Sequence, residues 1–267
     1  MLFFIGSDIM LASEQIKKSL CNELKDIEIN VFSKVTSTNT LLKEQGGNKN
    51  EWSLMVASSQ TGGKGRLGRS FYSPESSGVY FSVLLKPDLE IAKAILITTA
   101  AAVAVTRALE ILGCDNSQIK WVNDIFVNNK KVCGILTESV IKTETKKIDF
   151  AVLGVGINLV KPKEDFPEDI KNIAGAVFSD EKPFVKENFV AEFLNEFYKI
   201  YKNLNDAEFM EEYKDKCFCI GKEISVISGD SVRQGTAISI DENARLLVKF
   251  SDNHEEFINS GEISIKI

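Results

Sequence analysis

The chain has 267 residues, 44% of them hydrophobic and 26% charged, with a formal net charge of −6. That is enough apolar material for a sizeable core, so a folded protein of one or two domains is expected. The acidic balance argues against DNA or RNA as the main partner, and five scattered cysteines fit a reducing compartment better than a disulfide framework.

The first eight residues, Met1-Leu-Phe-Phe-Ile-Gly-Ser-Asp8, lack a basic n-region and soon meet acid, so no signal peptide is expected. Residues 12–24 carry Ile16, Leu20 and Leu24 at four-residue steps, which predicts a helix. A strand over 27–32 leads into Lys34-Val-Thr-Ser-Thr-Asn39, and a helix starts at 40–43 before Gly46-Gly47 stops it. A strand over 53–58, a glycine-rich stretch over 61–69 and a strand over 79–85 follow. Residues 90–112 read as a long, alanine-rich buried helix closed by Gly113. Its uncharged stretch, Ala94 to Thr106, is thirteen residues. A bilayer needs about 20, so no membrane span and a cytoplasmic location are expected.

Strands are predicted over 119–122, 125–127, 131–139 and 148–159, then a helical pair over 186–203 and 206–216. From Gly221 onward the text turns to short alternating strands broken by Gly229-Asp230, Asp241-Glu-Asn243 and Ser251-Asp-Asn253. Four or five strands at such spacing suggest a small β-barrel. The expected organisation is an α+β body over residues 1–218 and a barrel over 219–267.

Four segments carry chemistry. Gln60-Thr-Gly-Gly-Lys-Gly-Arg-Leu-Gly-Arg-Ser-Phe71 packs four glycines, a lysine and two arginines into eight residues. Glycine lets backbone amides approach an anion and the cations neutralise phosphate, although a flexible basic surface loop has the same composition. Lys120-Trp-Val-Asn-Asp124 precedes Lys131-Val-Cys-Gly-Ile-Leu136, and a hairpin through Asn128-Asn-Lys130 would bring Asp124 near Lys131. By itself that pair reads equally as a surface ion pair. Thr36-Ser-Thr-Asn39 before a helix is N-cap text, though capping needs one such residue rather than a run. Gly154-Val-Gly-Ile-Asn158 ends a buried strand with glycines that mark either a bulge or close approach of a ligand.

Taken together and in order, these segments resemble the biotin–protein ligase family. That family shows a Ser-Thr-Asn start, a Gly-Arg-Gly-Arg-x-Gly-Arg loop, Lys-Trp-Pro-Asn-Asp, Lys-x-x-Gly-Ile-Leu and Gly-x-Gly-Ile-Asn. The resemblance runs from about Asp26 to Gly261-Glu-Ile-Ser264. Three departures stand out: Lys64 where the first loop arginine is usual, Val122 for proline and Phe71 for tryptophan. Lys64 keeps the charge without the bidentate fork.

The resemblance implies a mixed sheet with helices packed on it, a body like that of class II aminoacyl-tRNA synthetases, and an SH3-like C-terminal barrel. It implies biotin and ATP as substrates, with Mg2+ accompanying ATP. Biotin's carboxylate would attack the α-phosphorus, and an acceptor lysine would attack the resulting adenylate. Lys131, Arg66 and Asp124 would be catalytic: Lys131 against carboxylate and phosphate, Arg66 closing from the loop, Asp124 orienting Lys131 or helping to place magnesium. Ser37, Thr38 and Gln60 would contact the ureido head, with Gly134 and Gly156 leaving room for the ligand. Asn39, Asn123 and Asn158 would be polar contacts or braces. Gly63, Lys64, Gly65, Arg69 and Phe71 would complete the adenylate site.

No resident metal site is expected, since Cys217 and Cys219 have no second pair and the one histidine, His254, falls in a barrel turn. The partner would be the biotin carboxyl carrier domain of a carboxylase, and a homodimer is compatible with the family. Two rivals are a biotin-sensing repressor and a lipoate or octanoate ligase or transferase. The first is disfavoured because only 36 residues precede Ser37, too few for a helix-turn-helix and linker. The second would be expected to show a different Arg/Gly motif with a histidine.

Overall fold

The computed structural model describes residues 11–180, 182–229, 231–259 and 262–265. The opening apolar run at 2–5 and Gly261 lie outside the described residues. A seven-stranded sheet is ordered β1-β2-β3-β7-β6-β5-β4, from Ile29–Val35, Leu54–Gln60, Gly78–Leu85, Lys147–Asn158, Lys130–Lys142, Asp124–Val127 and Gln118–Lys120 respectively. β1 and β2 run parallel and every other neighbouring pair is antiparallel, so the sheet is mixed. Five helices accompany it among the described residues: α1 (Ser13–Ser19), α2 (Thr38–Gln45), α3 (Ile95–Ile111), α4 (Val185–Tyr201) and α5 (Met210–Lys216).

The sheet's faces differ because side chains alternate along each strand. Val79, Phe81, Val83, Leu153, Val155, Ile157, Cys133 and Ile135 join the main core with α3 and α4. Leu84 and Val152 join a smaller cluster with Leu42 of α2 and Met55. α4 sets Phe189, Phe193 and Phe197 at four-residue steps, so they share one face. Phe193 and Phe197 stack at 5.6 Å, and Phe193 meets Phe81 of β3 edge-on at 5.2 Å.

Local departures from the sequence reading have visible causes. The helix expected over 12–24 breaks after Ser19, where Asn195 of α4 accepts from the Cys21 amide (2.8 Å) and donates to the Ser19 carbonyl (2.9 Å). A 3-10 turn, Asn22–Leu24, follows. α2 starts at Thr38 because Ser37 is the N-cap, its Oγ accepting from the Thr40 amide at 3.4 Å. The β5–β6 turn is the two-residue Asn128-Asn129 rather than three: both have positive φ (51° and 61°), and Lys130 already pairs with Val127. Trp121 and Val122 are buried but lie in the turn after β4, not in the strand. The helix expected over 90–112 begins as a 3-10 turn, Ile91–Lys93, before α3. The 21 residues Ile91–Ile111 are long and apolar enough to cross a bilayer, contrary to the shorter uncharged count, but most are buried inside the body.

The C-terminal strands β8 (Glu223–Ser228), β9 (Ser231–Ile240), β10 (Leu246–Phe250), β11 (Glu255–Ile258) and β12 (Glu262–Ile265) form one antiparallel sheet ordered β11-β10-β9-β8-β12. It is joined to the larger sheet by the Trp121 indole, whose Nε1 donates to the Ala244 carbonyl at 2.9 Å. Before it, the buried thiols Cys217 and Cys219 lie 3.3 Å apart between sulfurs.

Phe193→Ala should cost roughly 3–5 kcal/mol, because it removes a fully buried ring between sheet and helix. For a protein of this size that lowers Tm by roughly 10 °C in a thermal melt. A drop of less than about 3 °C would show that the aromatic stack is not a main support of the body.

Candidate active site

Register puts three glycines on the sheet face away from the main core. Gly134 of β6 pairs directly with Gly156 of β7, and Leu136 pairs with Gly154. Across the other edge of β7, Tyr80 and Ser82 of β3 pair with Gly156 and Gly154. The result is a strip of sheet with little side chain, flanked by the start of α2 on one side and the 61–71 loop above. Two adjoining pockets open along it and share Lys64, Phe71, Gly134 and Leu136 as walls.

One pocket is polar but nearly uncharged. Ser37, Thr38 and Asn39 are all buried at the start of α2, and Gln60 ends β2 beside them. Gln60 Oε1 accepts from the Thr38 amide at 2.9 Å, and Gln60 Nε2 donates to Ser73 Oγ at 3.2 Å. Ser82 Oγ lies 2.6 Å from Asn39 Oδ1 and 2.8 Å from Thr38 Oγ1. Asn39 Nδ2 donates to Glu138 Oε2 at 3.1 Å and to the Leu136 carbonyl at 3.3 Å. A methyl at Gly154 would overlap Asn39 Oδ1, so glycine there is what lets Asn39 approach the sheet.

Ser82 and Glu138 are site residues for which the sequence assigned no role, and Gly154, read only as a bulge or a close approach, turns out to admit the Asn39 side chain. Ser82 stands out in the sequence as the polar residue inside the apolar run of β3. Glu138 is legible as the continuation, at period two, of the Gly134 and Leu136 face.

The other pocket is charged. Lys131 Nζ sits 2.7 Å from Asp124 Oδ1 across the β5–β6 hairpin, so the expected pair forms. Asp124 Oδ1 is buried and has no well-aligned hydrogen-bond donor. Asn123 is held at both ends: its Nδ2 donates to the Ile135 carbonyl (2.9 Å), and its backbone carbonyl accepts from the Ile135 amide (3.0 Å). The Tyr213 hydroxyl braces the same turn by donating to the Val122 carbonyl at 3.1 Å. Burial pushes its phenol well above the usual range, so it stays a neutral donor. Lys120, Trp121 and Ile263 of β12 also line this pocket, so the C-terminal sheet contributes a wall.

The glycine-rich loop is a narrow arch. Lys64 pairs with Ser70, the Gly65 amide donates to the Arg69 carbonyl at 2.7 Å, and the Phe71 amide donates to the Gly63 carbonyl at 2.9 Å. Leu67 and Gly68 turn it with φ of 55° and 75°. Gly63 is required at the arch's foot, since a side chain there would press on the Phe71 carbonyl at 2.5 Å. Gly65 faces no such limit; its nearest neighbour would be 3.5 Å away. Arg66 Nη1 reaches across to Asn123 Oδ1 at 3.1 Å and ties the arch down. Arg69 lines the charged pocket from the same arch.

The space left by Gly134 and Gly156 is taken by the Phe71 ring, to which methyls on those residues would come within 3.1 and 2.8 Å. Phe71 therefore stands between the two pockets. Asn158 is not in either wall; its Nδ2 donates to the Gly175 carbonyl at 3.2 Å and its Oδ1 lies 3.5 Å from Ser77 Oγ, which makes it a strand-end brace, the second of the two roles expected for it.

Residues 31–158 match the biotin/lipoate A/B protein ligase family, and residues 219–266 match the biotin protein ligase C-terminal domain. The chain is 35% identical over 165 residues to the bifunctional ligase/repressor BirA of Bacillus spizizenii, an alignment covering 61% of this chain and 50% of that protein. It is 24% identical over 227 residues to the biotin–[acetyl-CoA-carboxylase] ligase of Mycobacterium tuberculosis, covering 82% of each. Among solved structures, it is similar to the biotin protein ligase from Aquifex aeolicus in complex with biotin and ATP. That likeness has a TM-score of 0.71 at 27% identity and covers 90% of this chain and 98% of the other. The chain spans about half the length of the first curated relatives it matches.

Asn123→Ala should loosen the arch by removing the Arg66 contact across the trough. A hydrogen bond to a charged group contributes roughly 1.5–3 kcal/mol, so trypsin should cut at Lys64, Arg66 or Arg69 about tenfold faster. Unchanged cleavage would mean that other contacts hold the arch.

Proposed function

Because this chain belongs to the biotin/lipoate A/B protein ligase family, we propose that it is a biotin–protein ligase, activating biotin with ATP and passing it to a lysine of a carrier domain. The observation that carries this reading is the division of one trough into a neutral pocket and a charged one that share walls. Biotin has a small ureido head that needs matched donors and acceptors, and a carboxylate at the far end of an apolar chain. Ser37, Thr38 and Gln60 suit the head, while Lys131 and Arg66 suit the carboxylate and the α-phosphate it attacks.

Both reactants of the first step are anions, so their approach must be offset by fixed cations. In this reading Lys131, held by Asp124, neutralises the carboxylate oxygen and the phosphate oxygen as the P–O bond to pyrophosphate breaks. Arg66 and Asn123 close the arch over the mixed anhydride, which keeps water from it until the acceptor amine arrives. Lys64, Gly65, Arg69 and Phe71 complete the cover over the adenylate, and Lys120, Trp121 and Ile263 wall the nucleotide end.

Mg2+ would accompany the nucleotide. Asp124 offers hard carboxylate oxygens suited to it, and Mg2+ would share that carboxylate with the Lys131 ammonium, which lies 2.7 Å from Oδ1. Among the described residues no group of three or more His, Cys, Asp or Glu could hold a metal, so the phosphates would supply the remaining ligands. The ion would offset phosphate charge.

Residues 1–218 are assigned to the catalytic body, of the class II synthetase type, and 219–267 to an SH3-like barrel that helps to dock the carrier. The proposed acceptor is a biotin carboxyl carrier domain, and five free thiols suit a reducing cytoplasm where ATP is at hand.

The test is ATP–pyrophosphate exchange with biotin, lipoate and octanoate offered separately. Exchange should depend on biotin; exchange driven by lipoate or octanoate instead would overturn the substrate. Lys131→Ala should slow adenylate formation at least a hundredfold, a loss of about 2.7 kcal/mol, while leaving the melting curve almost unmoved. Near wild-type exchange in that variant would remove Lys131 from the chemistry.

A further inference from the structure

Two buried nucleophiles, Cys217 and Cys219, take no part in the chemistry proposed above. Cys217 ends α5 in extended backbone, with φ −82° and ψ 100°. Side chains two residues apart on an extended chain share a face, and the two sulfurs meet at 3.3 Å. Between them Phe218 is anchored twice. Its ring packs on Phe126 of β5 at 5.3 Å, and its amide donates to the Ile119 carbonyl at 3.1 Å. The other three thiols lie apart along the chain: Cys21 after α1, Cys114 after α3 and Cys133 within β6.

The pair lies against the turn that carries the charged pocket. Cys217 pairs with Ile119 of β4, and the Trp121 backbone hydrogen-bonds to both sulfurs. Tyr213, on the same helix as Cys217, donates to the Val122 carbonyl. Trp121 and Val122 lead directly to Asn123, which holds Arg66 of the arch, and to Asp124, which holds Lys131. The thiols therefore belong to the support of the residues that position both cations.

The hydrogen bond between the sulfurs separates their chemistry. Cys217 is the donor, and that bond together with burial pushes its thiol well above the usual range. Cys219 accepts the same bond, which outweighs burial and lowers its thiol, so Cys219 is the member that forms a thiolate. Burial screens the pair from bulky reagents. Cys217 nevertheless keeps 5% of its surface open at a helix end, where local opening costs least.

We propose that Cys217 and Cys219 form an oxidation site: hydrogen peroxide converts them to a disulfide, which slows ligation by displacing the Trp121–Asp124 turn. The effect on activity rests on the ligase reading; the bond itself does not. The Cys219 thiolate attacks one peroxide oxygen, the O–O bond breaks, and hydroxide leaves a sulfenic acid behind. The Cys217 sulfur then attacks the Cys219 sulfur, the S–S bond forms, and the S–O bond breaks. The two thiol protons end in the two waters released. Bonding draws the sulfurs from 3.3 Å to about 2 Å and removes the acceptors of the Trp121 backbone. Because Phe218 is anchored, the neighbouring turn takes up the displacement. A ring closed over one intervening residue gains little from cross-linking, so a dithiol reductant reopens it.

The test treats the reduced full-length protein with hydrogen peroxide and then removes the peroxide with catalase. Mass spectrometry should find the peptide carrying Cys217 and Cys219 lighter by a pair of hydrogens. Biotin-dependent ATP–pyrophosphate exchange should fall about tenfold or more, since small misplacements of reacting groups carry large rate losses. Trypsin should cut the arch faster. Biotin affinity by calorimetry should stay within about twofold, because the neutral pocket lies away from the turn. Dithiothreitol should restore exchange, which separates the dithiol from methionine oxidation, a lesion that needs its own reductases. Cys217→Ala, shown folded by its melting curve, should keep its exchange rate through peroxide treatment. Should that variant not fold, Cys219→Ala and the dithiothreitol reversal in wild type carry the same decision.

Treated protein without the bond, a bond that leaves exchange unchanged, or an equal loss of exchange in Cys217→Ala would overturn the inference. Reduced wild type with no biotin-dependent exchange would instead overturn the function beneath it, while the bond and the arch cleavage would still report on the site.

Discussion

Everything at this site depends on one register. Gly134 and Gly156 lie opposite each other on β6 and β7, and Gly154 lies two residues further along β7 on the same face. Side chains alternate along a strand, so slipping β7 by one residue would bring Val155 and Ile157 to the trough and send glycines into the core. The apolar half of that alternation is what holds the register, because those residues are buried beneath α3 and α4. Core packing on one face therefore guarantees open space on the other, and neither can change without the other.

That space is divided by chemistry as well as by shape. The neutral end is built from groups that bond to one another when no ligand is present, so their hydroxyls and amides are already aimed. The charged end is built from a hairpin whose short turn sets Lys131 against Asp124, while the turn before β5 sets Asn123 beneath the arch. Fixing these groups in advance reduces the reorganisation needed when a ligand binds, which is the usual condition for electrostatic stabilisation of a charged intermediate. The Phe71 ring at the boundary belongs to neither end, and its place on the two glycines is where a ligand spanning both pockets would have to lie.

Much of this site is legible in the amino-acid sequence. The Asp124–Lys131 pair follows from a hairpin turn flanked by short strands, and the arch follows from glycines interleaved with cations. A cap somewhere in Thr36-Ser-Thr-Asn39 is legible from its place before a helix, whereas the choice of Ser37, with the helix beginning at Thr38, is set by the fold. The features that escape a local reading are set by contacts distant in sequence. The break after Ser19 is made by Asn195, and the buried chain through Ser82 and Glu138 joins three strands and a helix. Asn158 and Gly156 are legible only as parts of one strand; the fold gives the first a brace's partners and fills the second's space with an aromatic ring from the loop. Ile263 joins the charged pocket from the far end of the chain, which no local pattern indicates.

The central claim is that one molecule, biotinyl-5′-adenylate, spans both pockets with its anhydride at Lys131. A crystal structure of the protein with a non-hydrolysable sulfamoyl analogue of that adenylate tests it most directly. The account predicts the ureido ring against Thr38 and Gln60, the sulfamoyl group within hydrogen-bond reach of Lys131 Nζ, and the Phe71 ring moved off Gly134 and Gly156. An analogue bound in the reverse direction, or with its ureido ring away from Thr38 and Gln60, would contradict it.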